Sequence, residues 1–547
     1  MKRIAAVFLV IILIGAVGGC AKKTEAQTPP PLAPDAPVTS DETTTQEDMI
    51  EESVAPQPTA TEIPPVKYTL NFDTQGGSAV VSQEITKGGN PAPIADPERK
   101  GFAFNGWHKT PDGYAPIQLL GHKMDANLVV YAHWEEVKRT VSYYLDGALL
   151  SKTEIPVGAS IIIEECDMDM PNTDTVCMGW NTAPDGSQRM YMPNEILVIG
   201  DEDVELHAQL RVPVEMVSAS AFHTAIVLRD NSLWMTGSNS SGQLGDATRS
   251  SKSLPVFIMN NIAKVSSGAS HSLMIDTSGT LWAVGNNQNG QLGDNSRSNK
   301  TEAVKIMEQV TDASAGSSHS LILSSDATLY AMGNNEDGQL GDGSTTDRQK
   351  PVKVTDNVVA ISAGDYHSVF IKSDGSVWTM GWNEYGQLGN GNTNSQNRPI
   401  KIMDNAVAVE AGSNHTLVIA KDGSLWAFGQ NNNGQLGDGS YQDQVSPVLV
   451  ADNVKIISGG ATHSMFVDSN GDLYTVGSNS SGQLGNGTTQ NSTEPIRIAN
   501  SITSISAANE YSLYVDSLGR LWAFGKNEYG QLGDGTTSKR TTPTMIR

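Results

Sequence analysis

Residues 406–450 read AVAVEAGSNHTLVIAKDGSLWAFGQNNNGQLGDGSYQDQVSPVLV, and this stretch decides the fold. Ala406-Val407-Ala408-Val409 is a short apolar run that ends before Gly412. A second run extends from His415 to Ala420, Asp422-Gly423 makes a hairpin turn, and a third runs from Ser424 to Phe428. A fourth strand is expected to begin at Pro447, since a missing N–H is tolerated at a strand start or edge. The unit therefore reads as four short antiparallel strands.

The Gly-Gln-Leu-Gly of this stretch recurs seven times, starting at Gly242, Gly290, Gly338, Gly386, Gly434, Gly482 and Gly530, each 48 residues after the last. Seven such units fill residues 212–547 and predict a seven-bladed β-propeller within an all-β protein. No equivalent proline strand precedes the first unit, because His207 to Leu210 already belongs to the module before it. The expectation is that blades are offset from the repeats, with the strand at Pro543-Thr544-Met545-Ile546-Arg547 completing the first blade. A closed ring needs no capping repeat.

Comparison of the units shows what each keeps. Asn239, Asn287, Asn335, Asn383, Asn431, Asn479 and Asn527 stand three residues before the motifs, where their amides can satisfy loop backbone groups. Leu244 and its equivalents read as plugs into apolar surface, and Trp234, Trp282, Tyr330, Trp378, Trp426, Tyr474 and Trp522 as packing between blades. His223, His271, His319, His367, His415 and His463 recur in register, with Tyr511 at the seventh place. They read as structural histidines bonded to backbone near a strand start, and no metal site is expected. The Asp/Asn-Gly pairs after the motif lack the alternating carboxylates of a calcium loop and read as turns.

The pattern G-x-x-H-[ST], hairpin, [WY]-x-x-G, N-x-x-G-Q-L-G and proline strand resembles the regulator of chromosome condensation repeat. That resemblance implies a seven-bladed propeller serving as a platform for protein binding. Its founding member's nucleotide exchange on a small GTPase is associated with a wedge between strands, for which the unbroken spacing leaves no room. Other members of the family are secreted inhibitors of β-lactamases, so enzyme inhibition stands as an alternative.

Upstream, residues 67–136 and 137–211 carry matching elements: GFAFNGWHKTPDG with NLVVYAHW, then VCMGWNTAPDG with VELHAQL. Trp107 and Trp180 hold corresponding places and read as core anchors. These modules resemble internalin-type B-repeats, small β-grasp-like units of bacterial surface proteins, the second in degenerate form. The resemblance implies an envelope spacer without enzymatic activity. Cys166 and Cys177 either form a disulfide closing a short loop or stand as two buried thiols.

The N-terminus sets the expected compartment. Lys2 and Arg3, an apolar run over residues 4–17, and Gly18-Gly19-Cys20 resemble a bacterial lipobox, which implies lipidation of Cys20 and a signal segment over residues 1–20. Residues 21–66 are rich in Pro, Thr and Glu and read as a disordered tether. The net charge of −24 argues against nucleic acid. Neither a catalytic constellation nor a cofactor motif is present, so the expected product is a monomeric, lipid-anchored binding protein of the cell envelope with no enzymatic activity. Its partner is expected to be a host or cell-wall protein, or a glycan.

Binding candidates lie where units differ. Trp382 stands where sister units have Ser, Asn, Gln or Lys; Phe222 and Tyr366 stand where most have Ser, Thr, Asn or Glu. Tyr385, Tyr441 and Tyr529 are further loop aromatics, of the kind that anchor interfaces.

Overall fold

The computed structural model describes residues 64–164, 166 and 175–546. Cys20, the signal segment 1–20, the tether except residues 64–66, and Arg547 lie outside the described residues. Every regular element described is a β-strand. The described residues divide into two compact units, the second beginning its continuous run at Leu210.

The first unit holds two sheets of related topology. β1 (Lys67–Asp73), β2 (Gln83–Thr86), β3 (Phe102–His108) and β4 (Leu128–Glu136) align in the order β2-β1-β4-β3, with β1 and β4 parallel. Then come β5 (Lys138–Leu145), β6 (Ala148–Pro156), β7 (Ser160–Ile162), β8 (Val176–Asn181), β9 (Met190–Tyr191), β10 (Ile196–Val198) and β11 (Val204–Arg211). Their main sheet runs β6-β5-β11-β8-β9, the same order with one strand added and again a parallel central pair. Trp107 and Trp180 are buried on the corresponding strands β3 and β8. His133 Nε2 meets the carbonyl of Pro111 at 2.7 Å, and Gln209 Nε2 donates to that of Pro184 at 3.4 Å, so both sheets tie down the Pro-Asp-Gly turn. Cys166 and Cys177 are both disulfide-bonded.

The second unit is seven four-stranded sheets, each in simple sequence order. In the fifth blade the strands are Ala406–Ala411, His415–Ala420, Leu425–Gly429 and Gln444–Ala451, from the central channel outward. All six positions of His415–Ala420 are buried, because a blade packs against neighbours on both faces. That is why the second strand reads as a continuous apolar run rather than an alternating one. Leu417, Ile419, Leu425 and Leu436 of this blade pack on Val454, Ile457 and Phe466 of the next. Each motif leucine, Leu244 to Leu532, is fully buried, worth roughly 1.5–3 kcal/mol apiece.

Two expectations need correcting. The fourth strand starts at Gln444, not Pro447. Pro447 sits inside it, tolerated because this is the outermost strand, whose free edge needs no ladder partner. Nor are blades offset from repeats: the last strand, Arg540–Met545, completes the seventh blade and not the first. Closure is made side by side instead. Val214, Val217, Ile226 and Leu228 of the first blade share a core with Tyr511, Leu513, Val515 and Leu521 of the seventh. Val214 N–H donates to Gly519 O at 2.9 Å and Gly535 N–H to Ser253 O at 2.9 Å.

Candidate functional site

Antiparallel connectivity sorts the loops. Those joining strands one to two and three to four emerge on one face of the ring; the tight hairpins and blade-to-blade links emerge on the other. The Gly-Gln-Leu-Gly segments build the first face. In the fifth blade Asn431 Oδ1 accepts from Leu436 N–H at 3.0 Å, while its Nδ2 donates to Asp438 Oδ1 at 3.0 Å and Ser440 O at 3.1 Å. One buried amide thus ties both ends of the loop. Gln435 Oε1 accepts from Asn433 N–H at 2.9 Å.

The histidines bond the neighbouring blade, not backbone as the sequence led us to expect. His223 Nε2 meets Ser272 Oγ at 2.8 Å; His271, His319, His367, His415 and His463 reach Ser320, Ser368, Thr416, Ser464 and Ser512 in the same way. Ser272 Oγ also donates to Gln243 O at 2.9 Å, so its single proton is committed and the imidazole must donate from Nε2. The motif H-[ST] is therefore a relay: each blade's hydroxyl receives the previous blade's histidine. Burial pushes these imidazoles down, His223, His319 and His415 to about 4 and the other three to about 3, so all are neutral. The glycine of G-x-x-H has a matching reason. A Cβ on Gly268 would stand 2.6 Å from His271 Nδ1 and 2.5 Å from Gly316 O of the next blade.

Inside the ring lies a cavity of about 460 Å³ lined by the innermost strands and the loops that follow them. Six serines, Ser218, Ser266, Ser314, Ser362, Ser458 and Ser506, ring it at one register position, each accepting the next blade's backbone N–H at 2.8–3.0 Å. Glu410 takes the seventh place and accepts from Ser362 Oγ at 3.2 Å. Burial in the channel, with Asp312 adding repulsion, pushes the Glu410 carboxyl up to about 7. Asp365 also lines the cavity and is pushed upward by burial, while Asp312 pairs with Lys264 at 3.4 Å. The cavity lining contains no lysine, arginine or histidine. Sequence reasoning missed Glu410, although the signal was available as a departure from serine at the 48-residue spacing.

All six candidate aromatics lie on the long-loop face, and five gather into two clusters. Trp382 contacts Tyr366 and Tyr385 edge to face, with ring centroids 5.8 and 5.4 Å apart. Phe222 meets Tyr529 at 5.4 Å. Tyr441 stands alone and exposed. Trp382 has a structural cost. In four sister blades the motif glutamine donates to the residue at this place, as Gln339 Nε2 does to Asn334 Oδ1 at 2.6 Å. An indole cannot accept that bond, and Gln387 Nε2 is buried without a partner. Gln531, facing Lys526, and Gln483, facing Ser478, are also unpartnered. Among the described residues no group of His, Cys, Asp or Glu is arranged to hold a metal ion.

Seven four-stranded blades of one pattern around a channel define a repeat propeller. Residues 187–451 match the RCC1-like domain, and residues 454–483, 470–515 and 519–547 match the regulator of chromosome condensation (RCC1) repeat. Residues 68–133 match the Listeria-Bacteroides repeat domain. The propeller is thus of the RCC1-repeat family, and the first sheet of the first unit is a Listeria-Bacteroides repeat domain. The fold is similar to that of human WBSCR16, with TM-score 0.53 and 22% identity, covering 58% of this chain and 94% of that one. Prp20p of Saccharomyces cerevisiae gives TM-score 0.52 and 22% identity, covering 61% of this chain and 86% of that one. Two proteins of Evansella cellulosilytica, named as membrane proteins, the first of them Gly-rich, are 31% and 27% identical over 28% and 26% of this chain. The chain spans about a fifth of the length of these relatives, 19% and 22%.

Proposed function

We propose that this protein is an envelope-anchored lipoprotein whose propeller captures a protein partner on its long-loop face without catalysing a reaction. The observation that carries this reading is the gathering of Tyr366, Trp382 and Tyr385 into one contact cluster on that face. Interface energy concentrates in such aromatic anchors. Similar propellers support it: yeast RCC1 (Prp20) has a structure with Kap60 bound, and Prp20p is described with binding properties toward Gsp1p and histones. The lipobox at Cys20 supports anchoring by lipid, and the membrane-protein relatives agree with an envelope location. The two N-terminal sheets serve as spacers that hold the monomeric propeller away from the membrane.

In-cell photo-crosslinking tests the reading with the full chain. A photoreactive side chain at position 385 is expected to give specific protein adducts, and one at Asn405, on the opposite face, none. Absence of adducts at position 385, or equal adducts from both positions, refutes the platform. A glycan that blocks crosslinking at position 385 would redirect the face to carbohydrate.

A further inference from the structure

We infer that the channel mouth beside the fourth blade receives a lysine or arginine side chain of the protein partner, its stem against Trp382 and its cationic head at Glu410. This rests on the long-loop face being the binding face.

Charge gives the first reason. The cavity is lined by Asp312, Asp365 and Glu410 and by no basic residue. The long loops of the third and fourth blades, on the same face, add Glu336, Asp337 and Glu384. Among the described residues, Asp312 is the one of these carboxylates in an ion pair, with Lys264 at 3.4 Å. The other aromatic cluster differs: beside Tyr529, Lys526 pairs with Glu510 and Glu528, which offsets part of the negative charge on that side of the face. The fourth-blade cluster therefore stands next to uncompensated negative charge, through Asp365, the chain neighbour of Tyr366.

Departure from the repeat gives the second. At Glu410 the ring exchanges a serine that accepts a backbone N–H for a carboxylate whose ionisation the channel opposes. At Trp382 it exchanges a polar side chain for an indole, which cannot accept the bond that four sister glutamines donate at this place. Both changes depart from the repeat, and they fall in adjacent blades. Where local rules are broken without structural gain, function is the expected reason. One ligand type uses both changes. A long basic side chain lays its methylenes on apolar surface, places its charge near an aromatic face, and ends in donors that match a carboxylate. A cation at Glu410 also removes the cost of ionising it.

Octalysine, fluorescein-labelled, is the probe, measured by anisotropy on the full chain at 150 mM salt. Glu410→Ser and Trp382→Ser introduce the residue that sister blades carry at those places. Each is expected to weaken octalysine binding at least about fivefold. Asp404→Asn, on the opposite face, removes the same charge as Glu410→Ser and is expected to change binding less than about twofold. Wild-type affinity in either serine variant, or equal weakening by Asp404→Asn, overturns the proposal and leaves diffuse charge as the cause. Octaglutamate binding with the same variant dependence overturns it too. Crosslinked partners at position 385 that octalysine fails to displace refute the cationic site and leave the platform standing. Loss of octalysine binding in both serine variants with no adducts at position 385 does the reverse.

Discussion

Six junctions of the propeller are made alike, and the seventh is not. At each of the six, an imidazole N–H donates to a hydroxyl whose own proton goes to the carbonyl of a motif glutamine, so two protons serve two bonds. At the closing junction Tyr511 replaces histidine. Its hydroxyl donates to His223 O at 2.7 Å and lies 3.0 Å from Thr224 Oγ1, which in turn donates to Gln531 O at 2.8 Å. Three oxygen contacts share two protons there, so the Tyr511–Thr224 approach is not a full hydrogen bond. The loop glycine is also absent on both sides, as Ala508 beside Tyr511 and Ser220 beside His223; the loop bond stays at 2.9 Å at Ala508 and lengthens to 3.3 Å at Ser220. The closing joint relies on the bulk of a buried ring and its shared core rather than on the relay.

Acid should expose the difference most strongly. A histidine whose folded pKa is depressed leaves stability intact above the unfolded value near 6.5 and withdraws it as pH falls toward the folded value. Six histidines in that state give a dependence of about 8 kcal/mol per pH unit within the window. Glu410 runs the opposite way, since its folded pKa of about 7 lies above the ordinary carboxyl value of 4.5. Unfolding at pH 5.5 should therefore take up about five protons, measured by calorimetry in buffers of different ionisation enthalpy. His319→Asn should lower that uptake by about one, whereas Tyr511→Phe should leave it unchanged. No uptake, or a net release of about one proton from Glu410, would mean that the histidines are charged in the fold.

Removing the bulk at the closing joint comes next. Tyr511→Ala should cost about 3–5 kcal/mol in urea unfolding, as large-to-small changes at fully buried aromatics do. Tyr511→Phe keeps the packing and removes the hydroxyl, and should cost only about 1–2 kcal/mol. If the phenylalanine variant is as unstable as the alanine one, hydrogen bonding rather than bulk holds the ring shut.

The period made the fold legible because every unit must bury the same faces: Leu436, Trp426 and His415 each recur where the blade-to-blade contact requires them. It also misled in one place. Pro543 looked like a borrowed strand because the first unit has no proline strand before it, yet each blade is complete within its own repeat. The partner of the histidines was hidden for a plainer reason. His223 and Ser272 are 49 residues apart, and only the rotation between blades brings them together. Candidate site residues were legible as departures from the repeat, and the structure brings two of them, Trp382 and Tyr366, into contact. The same comparison was not carried onto the innermost strand, so Glu410 was passed over among apolar neighbours.

Glu410 also gives the smallest effect, and the one that ties scaffold to site. Serine at this place would complete the ring of hydroxyls and supply an acceptor for Gly459 N–H, as Ser458 does for Ala507 at 2.9 Å. It would also remove a carboxylate that must ionise inside the channel beside Asp312 and Asp365. The folded form holds the proton between about 4.5 and 7 while the unfolded chain releases it, so the weight of Glu410 against folding grows across that window and is full above pH 7. Glu410→Ser should therefore stabilise the protein by about 1 kcal/mol at pH 8 and by less at pH 5, read from paired urea midpoints. A stabilising change that also removes octalysine binding is what a residue kept for function predicts. A destabilising one would make Glu410 part of the scaffold after all, with the channel's seventh position shaped for it rather than for a ligand.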